Sequence, residues 1–429
     1  MRSLSKWLAW QEKLHPHAID MGLDRVRHTL EALGWQRPRY PIVTVAGTNG
    51  KGSCVALTAS ILRAAGYRVG TFTSPHLFRY NERIRIDGSE ISDASLCEAF
   101  IRIDAARGSH TLTFFEFNTL AALLVFETAG LDAMILEVGM GGRLDAVNAV
   151  DADVAIVTAI ALDHCEWLGD DVEDIGREKA GIFRATRPAI FGDLDMPSSI
   201  ETEAGRVGAE LRRLGRDFRF TPPPGAPERP YGQDARWQWW GKARHEEDLP
   251  LPRLVGREQF ANASTVLAAL ETLAERLPVS SEQIAAGLRA VELAGRFQVL
   301  AGDPPWIFDV AHNPDAAWVL ADNLRTIPVE GRTLAICGIL SDKDAGGIVK
   351  ALAGSVDGWI VAGLTGARAL SAAGLAERLA AAGAHVEYQA ENVVAACAWA
   401  REYAHRKDRI VVFGSFLTVG PALKWAGLI

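Results

Sequence analysis

The sequence has few cysteines, and none of them form a C-x-x-C pair. Its five cysteines are Cys54, Cys97, Cys165, Cys337 and Cys397. The cysteines are odd in number, scattered along the chain and without the spacing of zinc ligands. They therefore argue against both a zinc site and a disulfide framework. We therefore expect free thiols in a reducing compartment, the cytoplasm.

Long apolar segments and an excess of basic charge are also missing. No run reaches the roughly 20 residues that a membrane helix requires. The opening segment MRSLSKWLAWQEKLHP has Gln11, Glu12 and Lys13 where a signal peptide would continue its apolar core. A formal net charge of −8 and a pI near 5.8 make nucleic acid a poor partner. The composition predicts a cytoplasmic protein with no membrane or nucleic-acid partner.

What the 429 residues do contain is a repeated alternation of short apolar runs and helical patterns. Such runs, separated by helices, indicate parallel strands that are covered on both faces. We predict an α/β fold with an N-terminal, P-loop-type, doubly wound parallel sheet and a smaller C-terminal Rossmann-like α/β domain. The predicted strands are 41–46, 67–73, 132–138, 153–160, 305–310, 332–338, 357–363 and 409–415. Predicted helices include 54–65, 92–106 and 114–130.

The middle of the chain predicts where the two domains meet. Residues 220–254 are rich in Pro, Gly and charge, which indicates loops or irregular β-structure. Helical patterns resume at 258–276 and 281–291, and a new series of strands begins only after the stretch ELAGRFQVL. We therefore predict domains at 1–294 and 295–429.

The stretch VTVAGTNGKGS, residues 43–53, resembles a phosphate-binding loop but departs from the usual consensus sequence. With Gly50-Lys51 in register, the pattern G-x-x-x-x-G-K-[ST] requires glycine where Val45 stands and a hydroxyl where Gly52 stands. The stretch follows a predicted strand and precedes a predicted helix, as a cradle of backbone N–H groups requires. It is either a nucleotide site of variant geometry or a glycine-rich turn.

Polar side chains follow two further predicted strands. Glu137 ends one of them, and Asp163 and His164 come after the next. Ligands of open α/β sheets bind at such carboxyl ends, and a carboxylate suits Mg²⁺. Taken singly, Glu137 is equally explained by a helix cap or a pair with Arg143, and His164 by a structural role. Together with Ser53 they could surround one nucleotide-bound metal.

Other candidate positions are weaker one by one. Lys179 fits a salt bridge to a nearby acid as well as an active-site role. The segment FDVAHNP brings Asp309 and His312 past a strand end, and Arg296 lies at the domain join, where a cation could meet phosphates. Ser415 follows the last strand. The segment FDVAHNP also fits a polar loop, and the Arg296 and Ser415 positions are weak indications by themselves.

In this order the stretches resemble the folate branch of the ATP-dependent amide ligases, the bifunctional dihydrofolate synthase/folylpolyglutamate synthase family, which is related to the bacterial Mur ligases. The segments that carry the resemblance span about residues 20–420 and are VAGTNGKGS, TSPHLFRYNERIRIDG, TFFEFNTLAALLVF, LEVGMGGRLDAVNAV, ALDHCEWLG, IGREKAGIFR, FDVAHNP and GILSDKD. The family's loop reads G-T-N-G-K-G-[ST], so the displaced hydroxyl of Ser53 is its normal form. The resemblance implies an ATP-binding domain of Mur ligase central type at 1–294 and a glutamate-ligase domain at 295–429.

The resemblance also implies roles for individual residues. Implied nucleotide contacts are Thr48, Asn49, Gly50, Lys51, Gly52, Ser53, Asn262, Arg296 and Asp309. Implied ligands of Mg²⁺, with two ions expected, are Ser53, Ser74, Glu137 and His164. Implied catalytic residues are Lys51, Lys179, His312 and Ser415, of which Lys179 matches a lysine that is carbamylated in the family and the last two are candidates for holding glutamate. Implied contacts to the pteroate substrate are Asp20, Met21, Gly22, Leu23, Thr113, Phe114, Phe115, Glu116, Leu144, Asp145 and Ala146.

The implied reaction is ATP-dependent addition of L-glutamate to dihydropteroate and to folates through an acyl phosphate, by a monomer. Two alternatives remain open. A Mur-type peptide ligase would share the loop and act on another carboxylate, and a P-loop nucleotide switch would leave FDVAHNP unexplained. One departure from the family is Val147, where Ser or Thr is usual, and it affects a hydrogen bond beside Asp145.

Overall fold

A computed structural model describes residues 2–223, 234–366 and 368–429. The strands of its first sheet are β1 (Ile42–Ala46), β2 (Val69–Phe72), β3 (Ile84–Ile86), β4 (Ser89–Glu90), β5 (Ala133–Glu137), β6 (Val154–Val157), β7 (Pro188–Phe191) and β8 (Glu210–Arg213). They lie in the order β4-β3-β2-β5-β1-β6-β7-β8, and all pair in parallel except those that involve β3. The strands predicted at 41–46, 67–73, 132–138 and 153–160 are β1, β2, β5 and β6.

Helices cover both faces of this sheet. Those described are α1 (Leu4–Gln11), α2 (Asp24–Ala32), α3 (Lys51–Ala64), α4 (Asp93–Ala106), α5 (Phe114–Glu127), α6 (Cys165–Leu168), α7 (Val172–Ala180), α8 (Ser198–Val207), α9 (Glu258–Thr272) and α10 (Ser281–Ala290). Helix α4 begins after Ser92, whose side chain accepts from Ser95 N as predicted for a cap. Helix α3 begins earlier than predicted, because Gly50, with a φ of 90°, turns the chain straight from the loop into the helix.

A small antiparallel sheet occupies the middle of the chain. It consists of β9 (Arg219–Thr221), β10 (Arg236–Trp240) and β11 (His245–Pro250), in the order β11-β10-β9. Trp237 and Trp239, two residues apart, are both buried, and the Trp237 ring contacts Phe260 of α9 edge to face at 5.5 Å. The prediction of irregular β-structure for 220–254 is confirmed for its described part, while residues 224–233 lie outside the described residues.

The third sheet repeats the α/β pattern. Its strands are β12 (Gln298–Leu300), β13 (Trp306–Asp309), β14 (Thr333–Cys337), β15 (Gly358–Ala362), β16 (Val386–Ala390) and β17 (Arg409–Phe413), in the order β12-β13-β17-β14-β15-β16. Only β12, which pairs with β13, is antiparallel among these described strands. The helices are α11 (Pro314–Thr326), α12 (Ala345–Leu352), α13 (Ala372–Ala381), α14 (Val393–Tyr403) and α15 (Phe416–Trp425). The predicted fold class, two α/β units of this kind, is confirmed.

Strand β1 shows how the first sheet is held rigid. Ile42 and Ala46 pack into the apolar layer on one face, and Val43 and Val45 pack into the layer on the other. A strand that is buried on both faces has one register, since a shift by one residue would exchange the two layers. The carboxyl end of β1, from which the phosphate-loop candidate departs, is therefore firmly placed. No helix in the described ranges is long and apolar enough to cross a membrane.

Asp153, at the start of β6, is a buried acceptor for several elements. Its Oδ2 accepts from Arg37 Nη2 at 2.6 Å and from Ile42 N at 2.9 Å. Its Oδ1 accepts from Arg276 Nη1 at 2.9 Å and from Arg187 Nη1 at 3.2 Å. Burial alone would raise its pKa, but these hydrogen bonds and charges outweigh burial and hold the pKa below its ordinary value.

Replacing Asp153 with asparagine should lower the free energy of unfolding by about 2 kcal/mol, since the arginines lose a buried charged partner but stay partly hydrated. The folded pKa lies below the unfolded value of about 3.9, so the stabilisation is complete above that pH and is lost as the pH falls towards the folded pKa. Chemical denaturation at neutral and acidic pH measures both effects. The matched control is Asp151→Asn, because Asp151 is 68% exposed and pairs only with Arg184 among the described side chains. Equal destabilisation by both variants would contradict the assignment.

Candidate active site

A cavity of about 260 Å³ lies where the two large sheets approach each other. One side is formed by residues 47–53 after β1, by the end of β5 and by the segment after β6. The other side is formed by Arg296, by residues 309–312 at and after the end of β13, and by Asp315 and Ala316. Because β1 lies between β5 and β6, the three strand ends meet at the switch point of the sheet, where ligands of such folds bind.

Lys51 lies at the start of α3 and folds back over its own loop. Its Nζ donates to the backbone oxygens of Gly47 at 2.9 Å and Thr48 at 3.0 Å. Burial lowers the pKa of Lys51, although the charges of Glu137 and Asp163 act in the opposite direction. The amine is thus held above the loop, together with the N-terminus of α3, where an anion would be stabilised.

The four predicted metal ligands, Ser53, Ser74, Glu137 and His164, all line this cavity. Among the described residues, the hydrogen bond that reaches the Glu137 carboxylate comes from Ser74 N at 3.1 Å. Burial raises the pKa of Glu137, while the Lys51 charge lowers it. Burial also lowers the pKa of His164 to about 4, so that its imidazole is neutral and has a free lone pair.

No group of three or more His, Cys, Asp and Glu side chains is arranged as a metal site in the part of the chain that the structure describes. The residues present nevertheless fit a divalent ion. Hydroxyl and carboxylate oxygens are ligands that Mg²⁺ prefers, and Mg²⁺ usually takes only one or two carboxylates and completes its shell with water and phosphate. The buried Glu137 carboxylate, with one donor at Oε2, has acceptor capacity left for a cation.

Lys179 lies in α7 and lines the same cavity, with only 4% of its surface exposed. No hydrogen bond or ion pair to its amine occurs among residues 2–223, 234–366 and 368–429, so the alternative of a salt bridge is wrong. Burial lowers its pKa to about 7, and the charge of Lys51 adds to this. The neighbouring Glu178 instead pairs with Arg143 at 2.6 Å, and no ion pair joins Arg143 to Glu137 in the described part of the chain.

The second unit contributes Arg296 and Asp309. The Asp309 carboxylate accepts from Ala311 N at 2.7 Å and from Phe297 N at 2.8 Å. Burial raises its pKa, and the charge of Arg296 counteracts that effect. The Arg296 guanidinium lies 5.3 Å from the centre of the Phe416 ring, and a methyl group on Gly52 would come within 3.5 Å of Arg296 Nη2. Arg296 therefore reaches from the second unit to the first turn of α3.

Asp163 joins the two units across the cavity. It accepts from Lys343 Nζ at 2.5 Å and from Asn313 Nδ2 at 3.3 Å, and it lies 3.4 Å from His312 Nε2. Burial alone would raise its pKa, but the hydrogen bond from His312 and the charge of Lys343 hold it well below its ordinary value. Asn49 of the loop donates to Asp315 at 2.7 Å, which is a second polar contact between the units.

A second cavity, of about 490 Å³, adjoins the first. Ser74, His164 and His312 line both cavities, so the two spaces meet at these residues. The predicted site residues that line the second cavity include Asp20, Met21, Gly22, Thr113, Phe115, Glu116, Leu144, Asp145, Ala146 and Ser415. Leu23 and Phe114 do not line it: Leu23 precedes α2, and the Phe114 ring packs against Tyr80 at 5.9 Å.

Asp145 explains why the departure at Val147 is tolerated. The Asp145 carboxylate accepts from the backbone N–H groups of Gly139 and Met140, each at 3.0 Å, and from Val147 N at 2.9 Å. Burial raises the pKa of Asp145 to about 6. Because a valine supplies the same backbone donor as a serine or threonine, the carboxylate stays anchored without the hydroxyl.

Several lining residues were not assigned from the sequence. They are His76, Arg83, Lys343 and Arg368 in the second cavity and Glu258 and Gln259 in the first. Arg83 Nε donates to His76 Nδ1 at 2.9 Å, and burial lowers the pKa of His76 to about 4. His76, Arg83 and Lys343 fall within two of the segments that carry the family resemblance, TSPHLFRYNERIRIDG and GILSDKD, so those segments were the signal that could have found them.

Comparisons with known proteins agree with this geometry. The Mur ligase middle domain matches residues 45–206, and the Mur ligase glutamate ligase domain matches residues 295–416. The dihydrofolate synthase/folylpolyglutamate synthase of Escherichia coli (strain K12) is 45% identical over 421 residues, which cover 98% of this chain and 95% of that protein.

Solved structures extend the similarity to the whole fold. Escherichia coli FolC in complex with DHPP and ADP has a TM-score of 0.92 at 44% identity, covering 100% of this chain and 98% of that one. A bifunctional folylpolyglutamate synthase/dihydrofolate synthase with Mn, AMPPNP and L-glutamate bound has a TM-score of 0.88 at 44% identity, with the same coverage of both chains. The chain thus belongs to the dihydrofolate synthase/folylpolyglutamate synthase family of the ATP-dependent Mur ligases.

Proposed function

We propose that the first cavity binds ATP, that the second binds dihydropteroate or a folate, and that the chain joins L-glutamate to the bound carboxylate. The observation that carries this proposal is the junction of the two cavities at Ser74, His164 and His312. A carboxylate at the end of the second cavity meets a γ-phosphate above the loop at that junction. The relatives bound to ADP with DHPP, and to AMPPNP with L-glutamate, support this division of the site.

In the proposed first step, a carboxylate oxygen attacks the γ-phosphorus and ADP departs, which leaves an acyl phosphate. Lys51 and the N–H groups of the loop stabilise negative charge on the phosphates, and Arg296 reaches the same region from the second unit. Two Mg²⁺ ions would be held by Ser53, Ser74, Glu137 and His164. The bound cation supplies positive charge beside the transferring phosphoryl group.

Lys179 has the properties that a carbamylated lysine requires. Its pKa of about 7 leaves much of the amine neutral near physiological pH, and the neutral amine is the form that adds to CO₂. The carbamate would carry a negative charge next to the cations of the site, whereas an ammonium group would repel them. We include this modification in the proposed active enzyme.

In the proposed second step, the amine of L-glutamate attacks the acyl carbon, phosphate departs and an amide forms. We assign the positioning of the amino acid to His312 and Ser415, because both line the second cavity and His312 lies at the junction. His312 is oriented by the backbone oxygen of Val310 at 2.8 Å and by Asp163 at 3.4 Å. Lys343 and Arg368 also line the second cavity and offer cations for the glutamate carboxylates.

The proposed domain arrangement is an ATP-binding domain at 1–294 and a glutamate-ligase domain at 295–429. Contacts such as Asp163 with Lys343 connect the two across the cavities.

Release of ADP and phosphate should require ATP, dihydropteroate and L-glutamate together, and the product mass should exceed that of the pteroate by one glutamyl group. With tetrahydrofolate in place of dihydropteroate, one further glutamyl group should be added. Coupled ADP detection with mass spectrometry of the product measures both. A panel of peptidoglycan precursors distinguishes the Mur-type alternative, and phosphate release that is indifferent to pteroate and glutamate would refute the ligase.

A further inference from the structure

A chain of side-chain hydrogen bonds leads from the phosphate loop along α9. Asn262 lies against the loop, since a Cβ atom on Gly50 would come 2.7 Å from Asn262 Oδ1. Asn262 Nδ2 donates to Gln259 Oε1 at 3.1 Å, and Gln259 Nε2 donates to Glu258 Oε1 at 3.0 Å. These three side chains line the first cavity. The series ends at a carboxylate, which has only acceptors while it is ionised.

The Glu258 carboxylate keeps acceptor capacity towards the cavity. Besides Gln259, the described side chain that donates to it is Asn323 of α11, with Nδ2 at 3.3 Å from Oε2 and 3.4 Å from Oε1. Two oxygens of a carboxylate accept about four hydrogen bonds, and the described donors are Gln259, Asn323 and the backbone N–H of Glu258 itself. Burial raises the pKa of Glu258 to about 7, which shows that the protein donors around it do not compensate for its loss of water.

The wall of the cavity next to Glu258 suits a flat apolar group. Helix α11 presents Ala316, Val319 and Leu320 to the cavity, and their i, i+3 and i+4 spacing places them on one face of the helix. A planar base that packs on such a wall is fixed in orientation by a few polar groups at its edge. With the triphosphate held by the loop, the base of the nucleotide would lie along this wall with its edge towards Glu258, which contacts Asn323 on the same helix.

We propose that Glu258 selects adenine, by accepting a hydrogen bond from the exocyclic amine of the base. Guanine and hypoxanthine have a carbonyl oxygen at that position, and two acceptors that face each other repel. This inference rests on the proposed use of ATP and adds the group that distinguishes ATP from other purine nucleotides. Gln259 and Asn262 act as positioning residues, because their hydrogen bonds orient the carboxylate from the loop side.

Glu258 also joins the two units through Asn323, and a purely structural role must be separated from base recognition. A contact that holds the two units together over the cavity changes the affinity for every nucleotide by the same factor. An acceptor that reads the base affects ATP and ITP differently, because these two nucleotides differ in the group at the 6-position and in the proton at N1. The ratio of the two affinities therefore reports base recognition alone.

The test measures dissociation constants for ATP and ITP with Mg²⁺, on the full chain and without pteroate or glutamate. The pH is about 8.5, above the Glu258 pKa of about 7, so that the carboxylate is ionised. We expect the unmodified protein to bind ATP at least about tenfold more tightly than ITP, as for a hydrogen bond to a charged group. Glu258→Gln should bring the ratio close to one, because an amide can donate to the carbonyl of hypoxanthine. Glu258→Ala should also reduce the ratio, by removing the acceptor.

The matched control is Asn323→Ala, which removes the contact between the units and leaves the carboxylate in place. It should weaken the binding of ATP and of ITP by a similar factor and so preserve the ratio of the two affinities. Thermal melting identifies any variant that fails to fold, and the remaining Glu258 variant then decides the result. An unchanged ratio in the folded variants, or no preference in the unmodified protein, overturns the inference while ATP binding persists. Failure to bind either nucleotide instead overturns the proposed function itself.

Discussion

Replacing Lys51 with methionine should reduce kcat about 10³-fold or more, because the charge of this lysine is proposed to act on the transferring phosphoryl group. Methionine has nearly the same length and no charge. The loss is expected mainly in kcat, since the backbone N–H groups of the loop still contact the phosphates in the ground state. Coupled measurement of ADP release at saturating ATP, dihydropteroate and glutamate determines it.

The control for this change is Lys350→Met, which removes the same charge from an exposed position on α12. Its kcat should remain within about twofold of the unmodified enzyme, as for a surface substitution. Melting temperatures are needed for both variants, because Lys51 Nζ also bonds to the oxygens of Gly47 and Thr48. Activity of a folded Lys51 variant within tenfold of the unmodified enzyme would exclude the proposed role.

Replacing Lys179 with alanine should lower kcat by about 10²- to 10³-fold, the effect of removing one charged group from such a site. Added formate or acetate should restore part of the activity, since a small carboxylate can occupy the vacated space and supply the charge of the carbamate. The space is available because Lys179 is buried and lines the cavity. Initial rates over a series of acid concentrations should rise and saturate.

The matched control is Lys179→Arg, which keeps a positive charge and fills the space. It should be as inactive as the alanine variant and show no response to the acids. Adding the same acids to the unmodified enzyme accounts for ionic strength. A carbamate is labile in mass spectrometry, so chemical rescue is the more direct measurement. If no small acid restores activity to the folded alanine variant, the carbamate role is contradicted.

Apolar runs predicted the buried strands well, apart from β7 with its short sequence PAIF, and predicted the edge strands poorly. The eight strands predicted from such runs all occur, because a strand covered on both faces must be apolar throughout. Strand β8, with the sequence ELRR, and β16, with VEYQA, were not predicted from the sequence. Both are largely half-buried or exposed edge strands, so little hydrophobic patterning marks them.

Site residues were predicted where they follow strands or lie in recognisable motifs, and less well elsewhere. Lys51, Glu137 and His164 were expected to converge, and all three line one cavity. Glu258 was not expected, because it lies in the first turn of a helix, where an acidic residue is ordinarily a favourable partner of the helix dipole. Leu23 and Phe114 belong to motif stretches, but their side chains lie elsewhere.

The amino-acid sequence by itself determined the α/β class, most of the buried strands, the loop at 43–53 and the chemical types at the predicted strand ends, because these depend on local periodicity and spacing. Only the tertiary structure decided which distant groups share an environment. Lys179 has a pKa near 7 because burial removes its water and leaves it without a partner among the described residues, and Asp163 joins the two units because Lys343 reaches it from 180 residues away. Dehydration and proximity of this kind arise from packing, which no local pattern of residues specifies.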